Sequence, residues 1–182
     1  MPDDWIPNCA TQLERAIRAL FVREGAASVA DCFISSESTE IGDLATGVTV
    51  IRASSSSTDE QELSGNEKFS VSIQNKFNAA IEPSETNTKL NRVQMDRRVG
   101  RQMLAMSKGD STTGRLDATI ANITDAGREL ATLDDENESD MSEFTCIFVR
   151  YLGMTRGQPE DNSCAWIEAR NYEIVACPSN VD

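Results

Sequence analysis

The sequence predicts an α+β domain, a mostly antiparallel sheet of four to five strands built on a long central hairpin and packed by two to three helices. Three observations carry that prediction. Phe69, Val71 and Ile73 alternate strictly with Ser70, Ser72 and Gln74, the two-residue period of a strand with one apolar and one wet face. Just upstream, Val48, Val50 and Ile51 form a second β-prone run. Between them residues 53–66 hold the serine run Ser54–Ser57, several acids and Gly65, the composition of an oversized hairpin connection. Finally, Leu13, Ala16, Ile17, Leu20 and Phe21 recur at helical spacing, with Gln12, Glu14, Arg15 and Arg18 expected on the opposite, wet face.

At 182 residues the chain is expected to form one domain, with residues 1–7 as an irregular arm. In that arm Trp5 and Ile6 need an apolar surface, either their own core or a neighbouring subunit. Asn8 is placed to cap the first helix and Gly25 to end it. An amphipathic helix of this length does not hold itself in water, and the Phe69, Val71, Ile73 face is its best support. Cys32, Phe33 and Ile34 suggest a short first strand, followed by a polar stretch with Gly42 and Gly47. Pro83–Lys89 reads as a loop.

A second helix is expected over Leu90–Ser107, with Val93, Val99, Met103, Leu104 and Met106 apolar and Gly109 as its stop. A third follows over Leu116–Leu133, where Leu116, Ile120, Ile123, Gly127, Leu130 and Leu133 recur every three to four residues. Residues 134–143, DDENESDMSE, carry six acids and no base and read as an exposed acidic loop. Two β-rich runs close the pattern, Phe144–Met154 and Ala165–Cys177. The turn-rich TRGQPEDNS separates them, so an antiparallel hairpin is their simplest pairing.

Thirty acids against seventeen bases give a formal charge of −13. That argues against a nucleic-acid binder, whose affinity comes largely from Lys and Arg displacing phosphate counterions. No apolar run is long enough to span a membrane, and Met1–Ala10 has acids and prolines where a secretory leader needs a basic start and an apolar core. The expectation is a soluble protein made in the cytoplasm, without a membrane partner. Cys9, Cys32, Cys146, Cys164 and Cys177 are odd in number and include no CxxC pair, and histidine is absent. They read as small core residues in a reducing compartment rather than zinc ligands.

The motifs that would carry chemistry fail on their details. GDSTTGRL, Gly109–Leu116, has two suitably spaced glycines, but Arg115 and Leu116 stand where a phosphate-binding loop needs Lys and Ser or Thr. Asp134, Glu136 and Glu138 begin like a calcium loop, yet Ser139 occupies the position of the turn glycine and Thr145 that of the bidentate Glu. Without histidine, Ser-His and Cys-His nucleophile activation has no base within the chain. No carboxylate pair stands out. The expectation is a protein that is not an enzyme and needs no metal or cofactor.

The second helix carries Arg92, Arg97, Arg98 and Arg101 within ten residues. Three readings fit: a solvated face partly paired to Asp96, a basic stripe that docks an acidic partner, or phosphate contact.

The order helix, strand, long hairpin, helix, C-terminal hairpin resembles the phage tail terminator proteins. The likeness covers most of residues 8–177 and is carried by QLERAIRALF, by SGNEKFSVSIQNKF, by LNRVQMDRRVGRQM and by the closing YLGMTRGQPEDNSCAWIEARNYEIVAC. The third helix and its acidic loop are more than the simplest pattern of that family requires. The resemblance implies a structural virion protein, a homo-oligomeric and usually six-membered ring at the head-proximal end of the tail. Its partners would be copies of itself, the tail tube protein below, a neck, connector or head-completion protein above, and a tail sheath where one exists. It implies no catalytic residue. Another virion component, such as a head–tail connector, tail tube or baseplate protein, is the alternative.

In such a ring, subunits of this charge must be held by packing and sheet-edge contacts, since exposed ion pairs contribute only about 0.2 to 1 kcal/mol each. Arg92, Arg97, Arg98 and Arg101 are then expected to face an acidic loop of the next subunit. The candidates are Asp134, Asp135, Glu136, Glu138 and Asp140, or residues 59–67. The polar hairpin tip, Ser54, Ser55, Ser56, Ser57, Asp59 and Glu60, is the expected contact with a partner ring. Genome DNA would pass an acidic or neutral lumen without specific binding.

Overall fold

The computed structural model describes residues 9–35, 41, 44, 46–55, 67–78, 92–109, 115–132, 144–157 and 165–178, with the backbone alone described at residues 9, 78, 92, 115–117, 128–132, 144, 177 and 178. Helix α1 spans Cys9–Arg23, a short 3₁₀ turn covers Val29–Asp31, and strand β1 is Cys32–Ile34. Strands β2 (Val48–Ser55) and β3 (Glu67–Asn78) precede α2 (Arg92–Ser107) and α3 (Arg115–Thr132). Strands β4 (Phe144–Gly157) and β5 (Ala165–Pro178) follow.

The five strands form one sheet in the order β1-β2-β3-β5-β4. The sheet is mixed: β1 pairs parallel to β2, and every other pairing is antiparallel. The α+β class, the mostly antiparallel sheet and both hairpins follow the expectation from sequence. The parallel first pair does not, because a three-residue apolar run carries no information about its direction.

Alternation on β3 divides the molecule. Phe69, Val71 and Ile73 point to the helical side and share a buried cluster with Leu13, Ala16, Ile17, Leu20 and Phe21 of α1 and Ile123 of α3. α1 therefore finds the apolar support that its pattern demanded. Its turn closes as Gly25 adopts φ 65, and Ala26 N donates to Phe21 O at 2.7 Å. On the opposite side of the sheet, near β1, Val48 and Val50 pack with Ile41, Phe33, Leu44 and Ile167.

Two side chains assigned to the wet face of α1 are buried instead. Gln12 and Glu14 are shielded from solvent. Glu14 is accounted for by its bonds: Oε2 accepts from Ser35 N at 3.1 Å and Ser35 Oγ at 2.7 Å, and Oε1 accepts from Ala53 N at 2.6 Å. A carboxylate that receives three donors can remain buried.

The apolar stripe of α2 also differs from the expected one. Met95, Val99, Gln102, Ala105 and Met106 face inward, while Val93, Met103 and Leu104 are exposed. A buried glutamine in the stripe hides its period from an apolar pattern. Ala53, Ser54 and Ser55 belong to β2, since Ser54 pairs with Ser70 and Ser55 with Phe69, so the connection starts later than expected. β4 likewise runs past Met154 through Thr155, Arg156 and Gly157, because Arg156 opposite Glu168 continues the ladder.

Candidate functional site

Among the described residues β4 is an edge strand of fourteen residues with β5 as its one neighbour in the sheet. Its inner-facing positions Cys146 and Val149 are buried against the helices. Burial pushes the Cys146 thiol up to about 12, and its sulfur lies 3.9 Å from Phe148 O. The pairing with β5 slips twice, between Cys146 and Phe148 and between Tyr151 and Gly153. Each slip leaves one residue without a partner, Ile147 and Leu152, and these are 47% and 52% exposed. Gly153 at φ 127 supplies a backbone conformation for the second bulge that a side chain would strain.

Phe148, Tyr151 and Met154 are exposed as well, so large apolar side chains emerge along most of the strand and on both sides of it. Tyr151 leans on Tyr172 of β5, with ring centroids 5.2 Å apart, which steadies one ring of that row. Trp166 of β5 is also partly exposed.

The charge on this strand is internally satisfied. Residues 144–157 contain Arg150 and Arg156 and no acid, in a chain of −13. Arg150 meets Glu173 at 3.1 Å, and Lys68 reaches the same carboxylate at 2.6 Å. The Lys68 hydrogen bond first, and then the charge of Arg150, hold Glu173 below the usual carboxylate range. Arg156 meets Glu168 at 2.7 Å and Asp96 of α2 at 3.0 Å, and the Glu168 bond raises its already high pKa further. The larger exposed side chains beside these two paired arginines, Ile147, Phe148, Tyr151, Leu152 and Met154, are apolar. Natural edges are blunted by charge, proline, brevity or bulges; β4 is long and has no proline, and it carries its two bulges and two paired arginines beside a larger set of exposed apolar side chains.

The end of β4 is fixed by a buried polar layer. Thr49, Asn75, Glu168 and Arg156 are cross-strand partners in one row running from β2 to β4, and α2 covers it. Gln102 Nε2 donates to Thr49 Oγ1 at 3.1 Å and to Asn75 Oδ1 at 3.0 Å, and Asn75 Nδ2 returns a bond to Gln102 Oε1 at 3.1 Å. Arg170, 1% exposed, donates through Nε to Glu168 Oε1 at 3.2 Å and through Nη1 to Val99 O at 3.4 Å. Apart from Arg156, which is exposed and also meets Asp96, the layer is buried beneath α2, bonded among its own members and to Val99 O of that helix. It orients α2 on the sheet.

The arginine stripe is divided. Arg98 Nη2 lies 2.7 Å from Asp31 Oδ2, and its Nη1 donates to Gly47 O at 2.6 Å. Arg97 and Arg101 are exposed and have no hydrogen bond or ion pair among the described residues. Asp96, expected to pair with arginines of its own helix, is taken by Arg156 instead. Arg92 opens α2, and only its backbone is described. Ser54 and Ser55 are exposed at the end of β2. Trp5, Ile6, Ser56, Ser57, Asp59, Glu60 and the acids Asp134, Asp135, Glu136, Glu138 and Asp140 lie outside the described residues.

No protein-family model matches the sequence, and no curated protein matches it either. The site is therefore read from its geometry. Among the described residues no group of three or more Cys, Asp or Glu side chains is arranged to share a metal ion, and no helix is long and apolar enough to cross a membrane.

The β4 edge was not visible as a site in the sequence. Its apolar residues looked like ordinary core positions of a strand, since the two bulges that turn Ile147 and Leu152 outward leave no mark in a simple alternation. Gly153 and the absence of acids over residues 144–157 were the available signals.

Proposed function

We propose that the chain is a structural virion subunit of the tail terminator kind, a homo-oligomeric ring at the head-proximal end of a phage tail that joins tail tube to neck. The observation that carries this reading is the outer row of β4. A long, acid-free edge with outward apolar side chains is a surface that a solitary subunit has reason to blunt and an assembling one has reason to keep. Each copy carries −13, so long-range charge drives copies apart, and apolar contact together with main-chain pairing at an edge must bring them together. The helix order and closing hairpin that resemble the tail terminators support the same reading.

The test is to label intact particles with an antibody raised against the chain and to image them by electron microscopy. Label confined to the junction of head and tail supports the reading. Label along the tube or at the baseplate assigns the chain to another virion component, and particles that never carry label overturn a structural role altogether.

A further inference from the structure

A recess of about 390 Å³ opens between the turn that ends α1 and one flank of α2. Residues 25–28 and Asp31 form one wall, and Arg97, Arg98 and Arg101 line the other. The turn wall, Gly25, Ala26, Ala27 and Ser28, has no side chain larger than serine, and a Cβ built on Gly25 meets nothing within 4 Å. The space is open rather than filled.

The charge in this recess is unbalanced. Asp31 is committed twice, through Oδ2 to Arg98 at 2.7 Å and through Oδ1, which accepts from Ser28 N at 2.8 Å. Among the described residues that leaves Arg97 and Arg101 uncompensated, one helical turn apart on the same flank. Like charges at this spacing repel, so a bound anion relieves a cost that the fold otherwise carries. Both guanidiniums sit on a side wall set by the polar layer beneath α2, and Arg98 is pinned by Asp31 and Gly47.

We infer that the recess receives the acidic run of a second copy of this chain, an inference that rests on the ring reading because a ring is what presents a neighbour's segment. The spacing argues for a polypeptide over a free anion. Asp134, Glu136, Glu138 and Asp140 fall at every second position. In an extended segment, alternate side chains lie on one side about 6.5 to 7 Å apart. Side chains four apart on a helix are about 5 to 6 Å apart at their Cβ atoms. A run that docks in extended form brings two successive carboxylates within reach of Arg97 and Arg101, each guanidinium taking one carboxylate in its planar fork. DNA, the other polyanion at hand, is too broad for a recess of this size, and elsewhere on the chain it meets net negative charge.

The test uses the full chain and a fluorescent peptide of the sequence LDDENESDMSEF, followed by fluorescence anisotropy at about 20 mM salt, where screening is weak. Saturable binding is expected, at least tenfold weaker in Arg97→Gln/Arg101→Gln and abolished when the four alternating acids of the peptide become Asn and Gln. Both arginines are exposed, so circular dichroism should report the double variant as folded. Peptide affinity that ignores the two arginines, or no binding, overturns the inference. Displacement of the peptide by an equal concentration of inorganic phosphate makes the recess a general anion site and also overturns it. A chain that binds the peptide only after its own acids at 134–140 are neutralised holds its own run there, which overturns the assignment to a second copy. The assay needs no ring, so its failure leaves the β4 reading intact. Conversely, a variant that fails to assemble through β4 can still bind the peptide.

Discussion

The two edges of the sheet face opposite problems. β1 has three residues, and Cys32 and Ile34 are buried. Its end is closed by Glu14, whose carboxylate gathers Ser35 N, Ser35 Oγ and, across the sheet, Ala53 N. β4 has fourteen residues, two bulges and a row of outward apolar side chains. Brevity and internal bonding make the first edge inert. The second is tied to its neighbours by Glu168 and Glu173, while large apolar side chains along it stay exposed. Among the described residues the same sheet thus ends in one closed edge and one open one, and the proposed ring assembly rests on that asymmetry.

The largest expected effect breaks the rigid backing of β4. Glu168→Ala strands Arg170, and an uncompensated buried charge costs about 3 to 5 kcal/mol. Chemical denaturation should show the loss directly. The double change Glu168→Leu/Arg170→Met should recover most of it, because apolar packing can replace a buried ion pair at little net cost. A double variant as unstable as the single one would mean that the layer is not held together by this pair.

The next effect opens the closed edge. Glu14→Ala leaves two backbone donors and a hydroxyl without their acceptor, and about 2 to 3 kcal/mol of stability should go with it. Amide exchange at Ser35 and Ala53 should accelerate while the amides of β3 remain protected. Equal acceleration across the sheet would mean that Glu14 supports the whole core and does not specifically close β1.

How much of this was legible follows from how each element signals itself. β3 was readable because its alternation is strict, and α3 because its apolar residues keep helical spacing. Two of the three antiparallel pairings, β2 with β3 and β4 with β5, followed from hairpin-like arrangements, whereas β3 with β5 joins runs remote in the chain and had no such signal. Features fixed by polar burial stayed hidden. Gln102 interrupts the inward stripe of α2, Glu14 and Gln12 sit on the buried side of α1, and Arg156 pairs with Asp96 across the fold. A single sequence assigns polar residues to solvent by default, and each of these is buried or tied by a partner remote in the chain. The arginine stripe was legible as a composition, but its division into the anchored Arg98 and the unpaired Arg97 and Arg101 depends on Asp31 and Gly47, which only the fold brings near.

A smaller effect is set by pH. The Cys146 thiol stands at about 12 in the folded chain against an ordinary value of 9.0. The folded state therefore keeps a proton that the unfolded state gives up as pH rises past 9. Its contribution is fully present below that pH and is lost progressively up to the folded value, about 1 kcal/mol by pH 10. Cys146→Ala should flatten this alkaline slope while leaving the acid side of the profile unchanged. An identical alkaline slope in the variant would assign it to other groups.

The smallest change in stability should accompany the largest change in assembly. Ile147→Lys/Leu152→Lys places charge on the two bulge positions, where both side chains already face solvent, and stability should move by no more than about 0.5 kcal/mol per site. Lysine on an edge is a known means of blunting it. The decisive measurement is amide hydrogen exchange along residues 144–157, compared between the free chain and the chain in its assembled particle. Outward-facing β4 amides should exchange readily in the free chain and become protected on assembly, and the lysine variant should stay folded but fail to enter particles. Unchanged exchange along β4 in the particle, or normal incorporation of the lysine variant, would contradict assembly through this edge.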